Sequence, residues 1–332
     1  MSDSSLSLHP DLRTGTADLP ELHPFADIAA TRASMAEIPP RCPGGGLLVE
    51  DRVITGPTGG PLTVRIYRAR QGPGDQLRPA IVWCHGGGFV LGDLGTEDAH
   101  CRRTARELDA VVVSVDYRLA PEHPYPAGFD DCWWATEWAI AHAAELSIDR
   151  TRVAVAGHSS GAAMAFGLAV KSRDLSSPEI CYVFMGYPVV DDRLDTGCRS
   201  CPEDARFFGR DDCVDMWSLY LGGEDPAEAL YAVPARVADL AGLPPIYVMI
   251  GALDPSRDAV LGWVQRLTSA GVSVELHLVP GAPHMFDLYG SGTPLVDRAV
   301  TNWSSALSAA LHPEDAASVH TLGGSSAGRG RS

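Results

Sequence analysis

The chain has 332 residues, 45% of them hydrophobic, enough for one large core or a core with a small accessory domain. Acidic residues outnumber basic ones 42 to 26, a formal charge of -16 with no basic run, which excludes nucleic acid as a natural partner and favours solubility. The first residues carry Asp3, Asp11, Asp18 and Glu21 without an apolar core and do not resemble a secretory signal.

Residues 1–46 fit no regular alternation and form a candidate N-terminal cap segment. Two runs of β-formers, 47–54 and 62–68, flank Gly56, Pro57, Gly59 and Gly60 and predict an antiparallel hairpin. Short apolar runs follow at Ala80 to Cys84, Val111 to Val115, Val153 to Ala156, Cys181 to Met185, Ile246 to Ile250 and Val274 to Val279. They alternate with helical patterns near 97–109, 128–146, 160–173, 257–270 and 295–311. This alternation predicts an α/β fold with a mostly parallel, eight-stranded sheet covered by helices over 47–311. Residues 190–235, with a helical stretch near Asp211 to Leu221, break the rhythm and suggest a cap insertion. The tail 312–332 is rich in Ser, Gly and Ala and is expected to be disordered.

The uncharged run 153–170 is interrupted by Gly157, His158, Ser159, Ser160 and Gly161, so it suits a strand, a turn and a buried helix rather than a membrane span. Eight cysteines (Cys42, Cys84, Cys101, Cys132, Cys181, Cys198, Cys201 and Cys213) are scattered, several inside apolar runs, which suggests reduced thiols and a cytoplasmic protein. Cys198 and Cys201 form a C-x-x-C with no second pair at zinc-finger spacing and are read as a loop pair.

Gly157-His158-Ser159-Ser160-Gly161 lies between an apolar strand and an apolar helix, the context of a nucleophile elbow. The turn is tight, hence the glycines, and the next helix points its first N–H groups at developing negative charge. His85-Gly86-Gly87-Gly88-Phe89 follows a strand and reads as an oxyanion hole, with neither a Walker lysine nor a G-x-G-x-x-G spacing. A serine of this kind needs a histidine base and a carboxylate that orients it, in the chain order Ser, acid, His. Asp254 follows one late strand and His284 the next, so both meet that requirement. Asp258 competes for the acid role but falls inside a helix, where a cap or an ion pair suits it better. His100, His142, His158 and His277 form no ligand set by spacing, and no metal or other cofactor is required.

These residues resemble the bacterial hormone-sensitive-lipase-like, HGGG-motif carboxylesterases. His85-Gly86-Gly87-Gly88-Phe89 matches the family signature, and Asp116-Tyr117-Arg118-Leu119-Ala120-Pro121-Glu122-His123-Pro124 resembles its extended loop after the fourth strand. The resemblance runs from about 47 to 311. It implies an α/β-hydrolase fold with a small helical cap, Ser159, Asp254 and His284 as the triad, and Gly87, Gly88 and the N–H of Ser160 as the oxyanion hole. The family usually carries Asp-Ser-Ala-Gly-Gly around the nucleophile, where this chain has His158-Ser159-Ser160-Gly161-Ala162.

The resemblance implies a small-molecule ester of small to medium acyl chain as partner; edge-strand pairing into homodimers is common in relatives, and an exposed final strand would permit it, but the sequence does not set the oligomeric state. Amide or lactone hydrolysis and acyl transfer would use the same triad. A non-catalytic small-molecule receptor, as in the plant gibberellin receptors that resemble this family, lacks the histidine that this chain keeps at 284. Phe207, Phe208, Met216, Trp217 and Tyr220 could line an acyl pocket, although apolar residues at helical spacing more often serve packing.

Overall fold

A computed structural model describes residues 7–37, 46–70, 77–194, 204–225 and 229–313. The C-x-x-C of Cys198 and Cys201 and nearly all of the tail from 314 onward lie outside these residues.

The hairpin forms as the sequence predicts. Strand β1 (Leu47–Thr55) pairs antiparallel with β2 (Pro61–Ala69), and β2 pairs antiparallel with β4 (Val111–Asp116). From there β3 (Arg78–Cys84), β4, β5 (Ile148–His158), β6 (Tyr182–Gly186), β7 (Ile246–Gly251) and β8 (Val274–Val279) run parallel. The sheet has eight strands in the order β1-β2-β4-β3-β5-β6-β7-β8. The order reverses around β3, which places β3 and β5 side by side at the centre of the sheet, the position where α/β sheets bind ligands at their carboxyl ends.

The central strands are buried on both faces, which explains their continuous apolar runs: β3 is buried from Pro79 to Cys84 and β5 from Val153 to His158. Two short N-terminal helices, α1 (Pro10–Thr16) and α2 (Ile28–Ala36), precede the sheet. The crossovers are α3 (Asp98–Glu107), α4 (Ala127–Ala141) with the short α5 (Ala143–Leu146), α6 (Ser160–Leu175) and α8 (Arg257–Ser269). The pattern over 128–146 predicts one helix; the structure divides it at His142, whose Nδ1 lies 2.9 Å from the Trp138 carbonyl. Between β6 and β7 stands α7 (Arg210–Leu221), and after β8 come α9 (Phe286–Tyr289) and α10 (Pro294–Leu311).

Helix α6 is buried without interruption from Ser160 to Val170. A helix that is apolar all round belongs inside a protein, and its small residues Ala162, Ala163, Ala165, Gly167 and Ala169 allow the close approach. This rigid packing fixes the start of α6, and therefore Ser159, relative to the sheet.

Residues 7–37 and 204–225 meet across the carboxyl ends of the strands. Leu22 N donates to the Ala205 carbonyl at 2.6 Å, and the Arg206 guanidinium donates to the Thr16 carbonyl at 2.9 Å. Arg32 on α2 donates to the carbonyls of Val90 (2.9 Å) and Ala120 (2.8 Å) and grips the Glu122 carboxylate with two bonds of 2.8 and 2.9 Å. No helix of the described residues is long and apolar enough to cross a membrane.

Candidate active site

Four strands end at one place. The loop after β3 carries His85 to Phe89, the turn after β5 carries Ser159, the loop after β7 carries Asp254 and the loop after β8 carries His284. Ser159 has φ 53° and ψ −118°, a conformation that an L-residue adopts only when its surroundings force it. The force comes from both sides of the turn. A Cβ on Gly161 would overlap the Cys84 carbonyl oxygen and lie 2.5 Å from that of His85, and one on Gly157 would lie 2.6 Å from the Cys84 oxygen. The flanking glycines are therefore required by the contact between the start of α6 and the end of β3.

Ser159 Oγ lies 2.9 Å from His284 Nε2, and His284 Nδ1 lies 2.6 Å from Asp254 Oδ2. The other Asp254 oxygen accepts from the Ser256 N–H at 2.8 Å. The three side chains are 4%, 1% and 0% exposed for Ser159, His284 and Asp254 respectively, so their hydrogen bonds face little competition from water. Asp258 is elsewhere, ion-paired to its neighbour Arg257 at 2.7 Å.

The glycine loop is shaped by two positive φ values, 119° at Gly87 and 64° at Gly88. A Cβ on Gly87 would overlap the Leu91 carbonyl, so glycine is obligatory there on two counts. Among the described residues the N–H groups of Gly87, Gly88 and Ser160 have no hydrogen-bond acceptor, which leaves all three as unused donors. The loop is braced from behind. Tyr117 donates its hydroxyl to the His85 carbonyl at 2.8 Å and stacks on the His85 ring at 4.0 Å, while His85 Nδ1 lies 2.7 Å from the Gly86 carbonyl. Burial holds the His85 imidazole below its ordinary pKa, so the ring is neutral.

Above the serine, residues of 7–37 and 204–225 close in. Phe208 stacks on the His284 ring with centroids 4.8 Å apart. Phe25 and Met216 lie against Gly88, at 2.7 and 3.3 Å from where its Cβ would be. Trp217 and Tyr220 instead pack on Phe89, with centroids 5.4 and 3.6 Å away, and Phe207 stands against Tyr289. The aromatic residues of 207–220 thus divide between site and packing.

Sequence reasoning missed one group. Glu97, at the start of α3, places Oε2 2.9 Å from His158 Nδ1, and His100 joins them, the donor atoms of the three lying within 4.8 Å of one another. Spacing assigns His158 to no ligand set, because its contact with Glu97 spans 61 residues of chain. Its presence where the family carries an aspartate was the available signal.

An eight-stranded sheet of this order, with a serine in a strained strand-to-helix turn at its centre, defines an α/β-type hydrolase. Residues 81–288 match the model of a family described as having the alpha/beta hydrolase fold. The chain belongs to that family, in its hormone-sensitive-lipase-like branch, and is a hydrolase. It is 37% identical over 290 residues to Esterase LipI of Mycobacterium tuberculosis, covering 86% of this chain and 89% of that one. It is 39% identical over 238 residues to Carboxylesterase NlhH of the same species, covering 70% and 74%. Among solved structures, a Bacterial Heroin Esterase superposes with a TM-score of 0.85 at 34% identity, covering 92% of this chain and 98% of that one.

Proposed function

We propose that the protein is a serine carboxylesterase acting on small to medium acyl esters. The observation that carries this is the hydrogen-bonded chain from Ser159 through His284 to Asp254, with distances of 2.9 and 2.6 Å. A neutral His284 takes the Ser159 proton through Nε2 as Oγ attacks the ester carbonyl, and Asp254 accepts from Nδ1 and stabilises the imidazolium. The carbonyl oxygen, now negative, receives the N–H groups of Gly87, Gly88 and Ser160. Loss of one such donor typically costs about 10²–10³ in rate. His284 then returns the proton to the departing alcohol, leaving an acyl-Ser159. A water that gives its proton to His284 attacks this ester, and the acid leaves as Ser159 regains its hydrogen.

Residues 7–37 and 204–225 act as the cap. Phe25, Phe208 and Met216 crowd the space over Gly88 and His284, and this crowding favours short acyl chains over long ones. Hydrolysis of p-nitrophenyl esters from acetate to palmitate tests the proposal. Turnover should peak at short chains; absence of turnover at every length in folded protein would contradict the esterase reading.

A further inference from the structure

Beneath the nucleophile lies a polar cluster with no part in the mechanism above. His158, the residue before Ser159, is 1% exposed and holds Glu97 Oε2 at 2.9 Å through Nδ1. The other Glu97 oxygen faces the Gly86 N–H at 3.4 Å, at the root of the glycine loop. Gly86 is itself wedged against the turn: its Cβ position is 3.1 Å from the His158 carbonyl and 3.6 Å from Ser159 Cβ. On the far side the His158 ring stacks on Tyr187 at 4.9 Å, and Tyr187 meets the His284 ring edge-on at 5.1 Å. His100 Nε2 lies 3.5 Å from Asp287, three residues after His284. One cluster therefore touches the nucleophile turn, the glycine loop and the histidine loop.

We infer that Glu97 and His158 are positioning residues, a buried carboxylate and imidazolium that hold the Ser159 turn at its working distance from the glycine loop. This inference rests on the esterase reading. The charges follow from the surroundings. Burial raises the Glu97 carboxyl, but the His158 charge and hydrogen bond outweigh it and bring Glu97 down to about 2. Burial likewise lowers His158, but the Glu97 charge and hydrogen bond, helped by Asp287, leave it above the ordinary imidazole value. His100 is held below that value by burial and by the positive His158, so it stays neutral. Tyr187, pushed well up by burial, is also uncharged. A histidine raised in this way keeps its pairing below the ordinary imidazole range and loses it as pH rises through the raised value. The ion pair should therefore fail on the alkaline side.

Ligands of a zinc-sized ion lie about 2.0–2.2 Å from it, so a 2.9 Å contact between donor atoms together with a spread to 4.8 Å fits a hydrogen-bonded pair better than a metal cage.

The test exchanges the pair: His158→Asp, Glu97→His, and both together, which also restores the family's aspartate before the serine. Each is assayed for kcat and KM with p-nitrophenyl acetate across about pH 6–10, spanning the imidazole range, beside a melting curve. Each single change should lower kcat about 10²-fold with little change in KM, the scale of a misplaced reacting group. The double exchange should recover most of kcat, and the wild-type alkaline decline should move. Folded single variants with wild-type kcat would overturn the inference, as would a double variant that recovers its melting temperature without recovering kcat. If the single exchanges do not fold, Glu97→Gln, which keeps the side-chain length, decides: an unchanged pH profile and kcat would overturn the inference, and a lost alkaline limb with lower kcat would support it. A stoichiometric metal ion in the wild type, released in these variants, would also overturn it. Wild type inert toward every ester removes the functional reading, whereas active wild type beside indifferent variants removes this inference alone.

Discussion

The two sides of the site are built differently. Below it, Ser159, Asp254 and His284 leave the ends of buried parallel strands, and the backbone around the serine is so close that Gly157 and Gly161 have no room for a Cβ. Above it the two segments differ: α2 buries none of its residues, and its Arg32 reaches the Val90 and Ala120 carbonyls, whereas α7 sinks Cys213, Met216, Trp217, Tyr220 and Leu221 into the core. Chemistry needs atoms fixed to a fraction of an ångström, and the close backbone contacts around Ser159 supply that.

Changes below the site should be severe and independent of substrate length. Ser159→Ala should lower kcat by on the order of 10⁶ without altering the melting curve, since it removes the proposed nucleophile and only one hydroxyl. Asp254→Asn should cost about 10⁴ in kcat by holding the wrong His284 tautomer, again with little effect on KM. Gly161→Ala pushes a methyl into the Cys84 carbonyl; it should lower activity by about 10² or more if the turn yields by an ångström, or prevent folding.

Changes above the site should be mild and should depend on the substrate. Arg32→Ala removes the grip on Glu122 and two carbonyls. The ion pair is partly exposed and contributes no more than about 1 kcal/mol, so a melting shift of a few degrees is expected, with turnover of short esters nearly kept. Acidification should mimic it. The Arg32 hydrogen bond holds the Glu122 carboxyl below its ordinary value, so the clamp is fully present above the carboxylate range and is lost as pH falls through that lowered value. Protease sensitivity of residues 7–37, rising on acidification in wild type but constant in Arg32→Ala, checks this.

The same division decided what could be read from the chain. The strands were visible because burial on both faces leaves uninterrupted apolar runs, and the order of Ser159, Asp254 and His284 follows from which strands end beside one another. The cover was less legible. Arg32 and Glu122 are 90 residues apart, α1 has only 7 residues and α2 is too weakly amphipathic to show a period. Glu97 gives no signal in the sequence beyond its place at the start of a helical pattern, since only the side-by-side placement of β3 and β5 brings the start of α3 to His158. The helix over 128–146 was read as continuous because His142 gives no break signal of its own.

We propose above that His284 and Asp254 make Ser159 nucleophilic. Treating the folded protein with an organophosphate and mapping the adduct by mass spectrometry puts this to the test. One phosphoryl group per chain is expected, on the peptide containing Ser159, with turnover lost in step and labelling about 10⁴-fold slower in Asp254→Asn. A fully active protein that carries no label on Ser159, or labels it equally fast without the Asp254 carboxylate, would contradict it.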